Sequence, residues 1–94
     1  MREELSAAIS NRSAAYCDMR DYLSALTDAE TVIAIRRNWN KGHFRKAKAL
    51  LGFGRLQDAA DAVRLGLDFE PTNTVCRQFL SSTFVKKVNE LFSL

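Results

Sequence analysis

Apolar residues along this chain return every three or four positions and seldom every second one, which is the spacing of one face of an α-helix rather than of a strand. Tyr22, Ala25, Leu26, Ala29, Val32 and Ile33 make one such face, with Asp21 placed to cap its start. The pattern predicts a helix before it over residues 2–19, a third reaching about residue 53, and a fourth over about 56–69. Residues 36–40 form the turn between the second and third, where Asn38 or Asn40 can serve as a cap. Gly54 sits where a left-handed stop is expected. Pro71, Thr72 and Asn73 break the chain, after which Val75, Phe79, Phe84, Val88, Leu91 and Phe92 mark a last long amphipathic helix.

Laid on itself at an offset of 34 residues, the chain places like on like: Ala15 on Ala49, Tyr16 on Leu50, Tyr22 on Leu56, Ala25 on Ala59, Ile33 on Leu67 and Ile35 on Phe69. Residues 25–37 thus recur as 59–71. Two helices per unit of this length is the tetratricopeptide period. Such a unit cannot bury its apolar face alone, so units stack and leave a concave groove lined by the first helix of each pair. The expected architecture is all-α, a fragment of a right-handed α-solenoid in a single domain over residues 1–94. Its repeats span about 5–38 and 39–72, and a capping helix spans about 73–92. Ala15, Ala25, Ala47, Ala49 and Ala59 fall where helices of a pair are expected to cross, since small side chains let axes approach.

Composition narrows the classes of function. With 94 residues, 47% apolar and 27% charged, the chain is one small globular domain near the lower limit for a self-sufficient core. No apolar run approaches the roughly 20 residues that span a bilayer, so direct membrane insertion is not expected. Glu3 and Glu4 in the first turn do not suit a signal peptide, and a cytoplasmic location is expected, with a longer parent protein able to sit at the cytosolic face of an organelle. Cys17 and Cys76 have no metal-ligand spacing and read as reduced thiols. One histidine, His43, and scattered carboxylates assemble no catalytic or metal site, so neither an enzyme nor a cofactor is expected. His43 reads as a packing residue, and Trp39 as a plug between repeats.

The net charge of +3 is unevenly spread. Between Glu30 and Asp58 there is no acidic residue, while Arg36, Arg37, Lys41, Arg45, Lys46, Lys48 and Arg55 all fall inside. Lys41 and Arg45 are one helical turn apart and Lys48 follows at the next, so the three can share a face. Like charges so placed repel unless an anion sits among them. The eleven acidic residues elsewhere make nucleic acid a poor partner.

The segments Asn11-Arg12-Ser13-Ala14-Ala15-Tyr16 and Lys41-Gly42-His43-Phe44-Arg45-Lys46-Ala47 resemble the paired signatures of tetratricopeptide co-chaperone domains of the carboxylate-clamp type, including those of cytosolic subunits of protein translocons. In that family an Asn on one first helix and a Lys and Arg on the next hold the terminal carboxylates of a heat-shock chaperone tail ending Glu-Glu-Val-Asp. The resemblance assigns these roles to Asn11, Lys41 and Arg45, with Ala7, Ala14, Phe44 and Lys48 lining the groove. It implies a co-chaperone or targeting adaptor for the 70-kDa or 90-kDa chaperone class. The other reading is a scaffold that binds an internal peptide or folded partner with no need for a free carboxylate. Clamp domains have three repeats, and here the first is absent or reduced to the residues before Ala7, so the chain is expected to be a fragment with half a clamp. Its exposed first helix is expected to favour self-association.

Overall fold

The computed structural model describes residues 2–84, and the expectations for Val88, Leu91 and Phe92 lie outside the described residues. In order come α1 (Arg2–Asp18), α2 (Tyr22–Ile35), α3 (Asn40–Gly52), α4 (Leu56–Phe69) and the short α5 (Thr74–Gln78). The chain then widens into a π-helical stretch, Phe79–Phe84. Within the described residues the expected long last helix is therefore one α-helical turn and a π segment. Helix α1 packs on α2 and α3 on α4, while α3 also lies against α1 and α2.

The 34-residue period is visible in individual backbone hydrogen bonds. At the end of α1 the Asp21 N–H donates to the Tyr16 carbonyl at 2.9 Å, and at the end of α3 Arg55 N–H donates to Leu50 at 3.0 Å. Both turns need a left-handed residue: Arg20 at φ 64° and, 34 positions on, Gly54 at φ 80°. Glycine adopts that conformation freely, whereas a side chain there costs about 1–2 kcal/mol. After α2 and α4 the pattern repeats again, with Arg36 N–H on Val32 at 2.8 Å and Glu70 N–H on Gly66 at 3.1 Å. Asp21 caps α2 as its sequence position suggests, its carboxylate accepting from the Ser24 N–H.

The cap of α3 departs from the expectation. Trp39 occupies that position and makes no side-chain bond to the helix, while Asn40 is already inside the helix. Asn38 is exposed and Asn40 is buried. The capping asparagine stands instead at the equivalent place one period later, where Asn73 Oδ1 accepts from the Cys76 N–H at 3.0 Å.

The core is thin and built from small side chains. Ala47, Leu50, Ala59, Ala62, Val63 and Cys76 form its centre, with Leu26, Phe44, Leu51, Leu67, Phe79 and Leu80 packed around. Ala25, Ala29 and Val32 are fully buried on α2, but the side of α1 that is withdrawn from water is Ser6, Ser10 and Ser13. Ser13 reaches across to donate to the Ala25 carbonyl at 2.8 Å, so burial of its hydroxyl is compensated. Ala15 is exposed and does not sit at a crossing, because α1 turns its serines, not this alanine, inward. Where small residues do pack, the space is tight: a Cβ on Gly42 would lie 3.0 Å from Val32 and 3.1 Å from Ile33. Ala59→Leu is accordingly expected to overpack the α3–α4 contact and cost about 1–3 kcal/mol in urea unfolding. An unchanged midpoint would place Ala59 outside the core.

Candidate functional site

Helix α3 carries the chemistry because it has neighbours on both sides. Toward α1, the Arg45 Nε donates to Ser10 Oγ at 3.4 Å. Toward the C-terminal segment, the Phe44 ring meets Phe79 edge-on at 5.1 Å. Between α3 and α5 opens a pocket of about 270 Å³ whose walls include Trp39, Lys41, Phe44, Arg45, Asn73 and Val75. Lys41 and Arg45 enter it from consecutive turns, with the apolar face of Phe44 between them.

These two cations have no carboxylate partner among the described residues, where the ion pairs are Arg12 with Asp28, Lys46 with Glu30, Arg55 with Asp58 and Arg64 with Asp61. They lean instead on aromatic rings. Lys41 Nζ lies 5.8 Å from the centre of Trp39 and the Arg45 guanidinium 5.7 Å from that of Phe44, a weak attraction that leaves their charge available. A second pocket of about 300 Å³ lies among α2, α3 and α4. It is lined by Lys46 and Arg55, which Glu30 and Asp58 already neutralise. Uncompensated charge, not volume, singles out the pocket of Lys41 and Arg45.

The other residues named from sequence are distributed around it. Asn11 is exposed on α1, next to the Ser10 that Arg45 reaches, and does not line the pocket. Ala7 and Ala14 are half-buried on the same helix. Lys48 is exposed and lines a neighbouring depression with Cys17 and Tyr22, although its Nζ stays 5.9 Å from the Phe44 ring. Thus Lys41, Phe44 and Arg45 are brought together, and Asn11 and Lys48 flank them.

Trp39, Asn73 and Val75 are walls that local spacing did not single out. The repeat offset holds the signal for some of them. Val75 stands 34 residues after Lys41 and Phe79 34 after Arg45, so the groove-facing positions that are cationic on α3 are apolar on the next segment.

Two buried arrangements hold the pocket in shape. His43 is 2% exposed and stacks on Phe69 at 5.5 Å, its Nε2 2.7 Å from the Arg37 carbonyl. A carbonyl only accepts, so that nitrogen carries the proton. His43 therefore clamps the turn before α3, as expected of a packing residue. On the other side, the Cys76 thiol donates to Asn40 Oδ1 at 2.6 Å and ties α5 to the start of α3. Burial raises the Cys76 pKa, an effect the Asn40 bond partly opposes. Burial likewise raises that of Cys17, against the pull of Lys48 and Arg45. Both are free thiols. The described residues contain no cluster of histidine, cysteine and carboxylate able to hold a metal. None of their helices is long and apolar enough to cross a membrane.

Comparison with known proteins places this geometry in a family. Over 66 residues, 70% of the chain, it is 42% identical to the ER protein translocation subcomplex subunit sec67 of Schizosaccharomyces pombe, covering 34% of that protein. It is 42% identical over 64 residues, 68% of the chain, to the Hsp70-Hsp90 organizing protein of Triticum aestivum, covering 11% of it. Over 74 residues, 79% of the chain, it is 32% identical to the small glutamine-rich tetratricopeptide repeat-containing protein 2 of Mycosarcoma maydis, covering 21% of it. The chain thus spans a third or less of the length of these relatives. No family model matches the chain, and no solved structure does. Relatives of this kind, and helix pairs whose turns repeat bond for bond at 34 residues, identify the chain as a tetratricopeptide-repeat domain.

Proposed function

We propose that this domain is a peptide-binding adaptor that captures the acidic C-terminal tail of a cytosolic heat-shock chaperone, of the type ending Glu-Glu-Val-Asp. Asn11, Lys41 and Arg45 act as a partial carboxylate clamp. The observation that carries the reading is the pair of cations in one pocket, Lys41 and Arg45, with no acidic partner in the described fold and an aromatic ring between them.

Each group suits one part of such a ligand. The Arg45 guanidinium can take a carboxylate by two parallel N–H bonds, while Lys41 adds a compact charge one turn away. Asn11, exposed beside the Ser10 contact of Arg45, offers an amide that donates to a carboxylate and accepts from a peptide N–H. Phe44 and Val75 offer apolar surface to a valine or isoleucine side chain. The names of relatives that organise Hsp70 and Hsp90 or belong to an ER translocation subcomplex agree with a co-chaperone or targeting role in the cytosol.

Titration with a short peptide ending Glu-Glu-Val-Asp, beside the same peptide amidated at its C-terminus, tests this. Binding is expected for the free acid and is expected to be largely lost on amidation. Equal affinity for both would remove the clamp and leave a scaffold for internal peptides, and no binding to either would remove the chaperone tail as ligand.

A further inference from the structure

The side of α1 that faces away from α2 carries a stripe of exposed residues at helical spacing: Leu5, Ala8, Arg12, Ala15 and Met19. Leu5 is 54% exposed and Met19 71%. One period on, the corresponding positions of the second repeat are Trp39, Gly42, Lys46, Ala49 and Phe53. There the stripe is covered by α2. Gly42 lies against Val32 and Ile33, Lys46 pairs with Glu30 at 3.8 Å, Ala49 is fully buried and Phe53 meets the Tyr22 ring at 6.0 Å. The α1 stripe is therefore a face this fold uses for helix packing, and nothing among the described residues covers it.

We propose that α1 docks on α1 of a second copy of this chain, the two stripes crossing antiparallel about a twofold axis near Arg12. The stripe is self-complementary in that orientation. Leu5 of one copy falls opposite Met19 of the other, Ala8 opposite Ala15, and Arg12 opposite itself. The alanines on either side of the axis let the helices approach closely. The central charge does not oppose the contact, because Asp28 holds the Arg12 guanidinium by two hydrogen bonds of 2.8 Å. At the ends, Glu4 falls opposite Arg20, and neither enters an ion pair among the described residues. An isologous contact counts that attraction twice. A single helix pair lies at or below the roughly 1,200–2,000 Å² of a stable interface, so the dimer is concentration-dependent.

Sedimentation equilibrium of the 94-residue chain over a concentration series tests the proposal, with a rise from 10.6 kDa toward twice that mass expected. Ala15→Arg, at an exposed position, is expected to abolish the rise while leaving the circular dichroism unchanged. Glu4→Arg and Arg20→Glu should each weaken association by about tenfold, since each unfavourable pair occurs twice. The double reversal should restore it. A wild-type chain that stays monomeric throughout would overturn the proposal and leave the stripe to a helix pair preceding it in a longer polypeptide. Dimerisation that survives Ala15→Arg would overturn the choice of surface, and a double reversal that does not rescue would overturn the antiparallel register.

Discussion

Leu50→Ala should lower the stability of this domain by about 2–5 kcal/mol, the range for truncating a buried leucine. In a domain of this size each kcal/mol shifts the melting temperature by about 4–8 °C, so the variant should melt on the order of 10 °C or more below the parent. The expectation rests on how the core is made. Leu50 is 3% exposed, and its partners Ala47, Ala59 and Ala62 are too short to move into the space it would vacate. The fully buried side chains of the molecule are no larger than His43, Val32, Val63 and Cys76. Few residues therefore contribute much apolar burial, and each of them matters more. Leu23→Ala is the control, since Leu23 is 68% exposed and its loss should change little. Equal effects in thermal melts of the two variants would mean that the core is not centred between α3 and α4.

Lys41→Ala and Arg45→Ala should each weaken binding of the free-acid peptide by about 1.5–3 kcal/mol, the net worth of a hydrogen bond to a charged group, or roughly 10- to 150-fold. Neither change should disturb the fold. Lys41 is exposed and Arg45 half-buried, and the only hydrogen bond lost is that of Arg45 to Ser10 at 3.4 Å. The double variant should lose less than the sum, because both side chains act on one anionic group and such contributions do not add. Calorimetric titration with circular dichroism of each variant reads both quantities. Affinity that survives both substitutions would exclude the clamp while leaving the tetratricopeptide fold intact.

Much of the fold was legible because local signals and the period agree. The ends of α2 and α4, the Asp21 cap and the left-handed Gly54 were all available from residue type and spacing. What escaped depends on distant partners. The inward side of α1 is serine, so hydrophobic spacing could not orient that helix, and Ala15 was assigned to a crossing it does not make. The offset contains a corrective: Ser6 and Ser13 stand 34 residues before Asn40 and Ala47, which are buried as they are. Asn40 itself looked like a cap because asparagine favours helix starts. Its bond to Cys76, 36 residues away, leaves no trace in the neighbouring sequence. For the candidate site, the one-turn spacing of Lys41 and Arg45 could be read directly. The far wall with Asn73 and Val75 exists only because α5 folds back onto α3.

The sorting of charge between the two kinds of helix bears on how fast a ligand arrives. Helix α3 carries Lys41, Arg45, Lys46 and Lys48 and no acid, while α2 carries Asp28 and Glu30 and no base, and α4 carries Asp58, Asp61 and Asp68 against Arg64 alone. The molecule is thus an electric dipole whose positive end is the helix that lines the groove. An acidic tail diffusing within about 10 Å, the Debye length near 0.1 M salt, is turned toward that side before any contact forms. Encounters on the opposite side are repelled. Association is then accelerated without any gain in the lifetime of the complex, and a weak receptor can sample many chain ends quickly and release those that lack the right terminus.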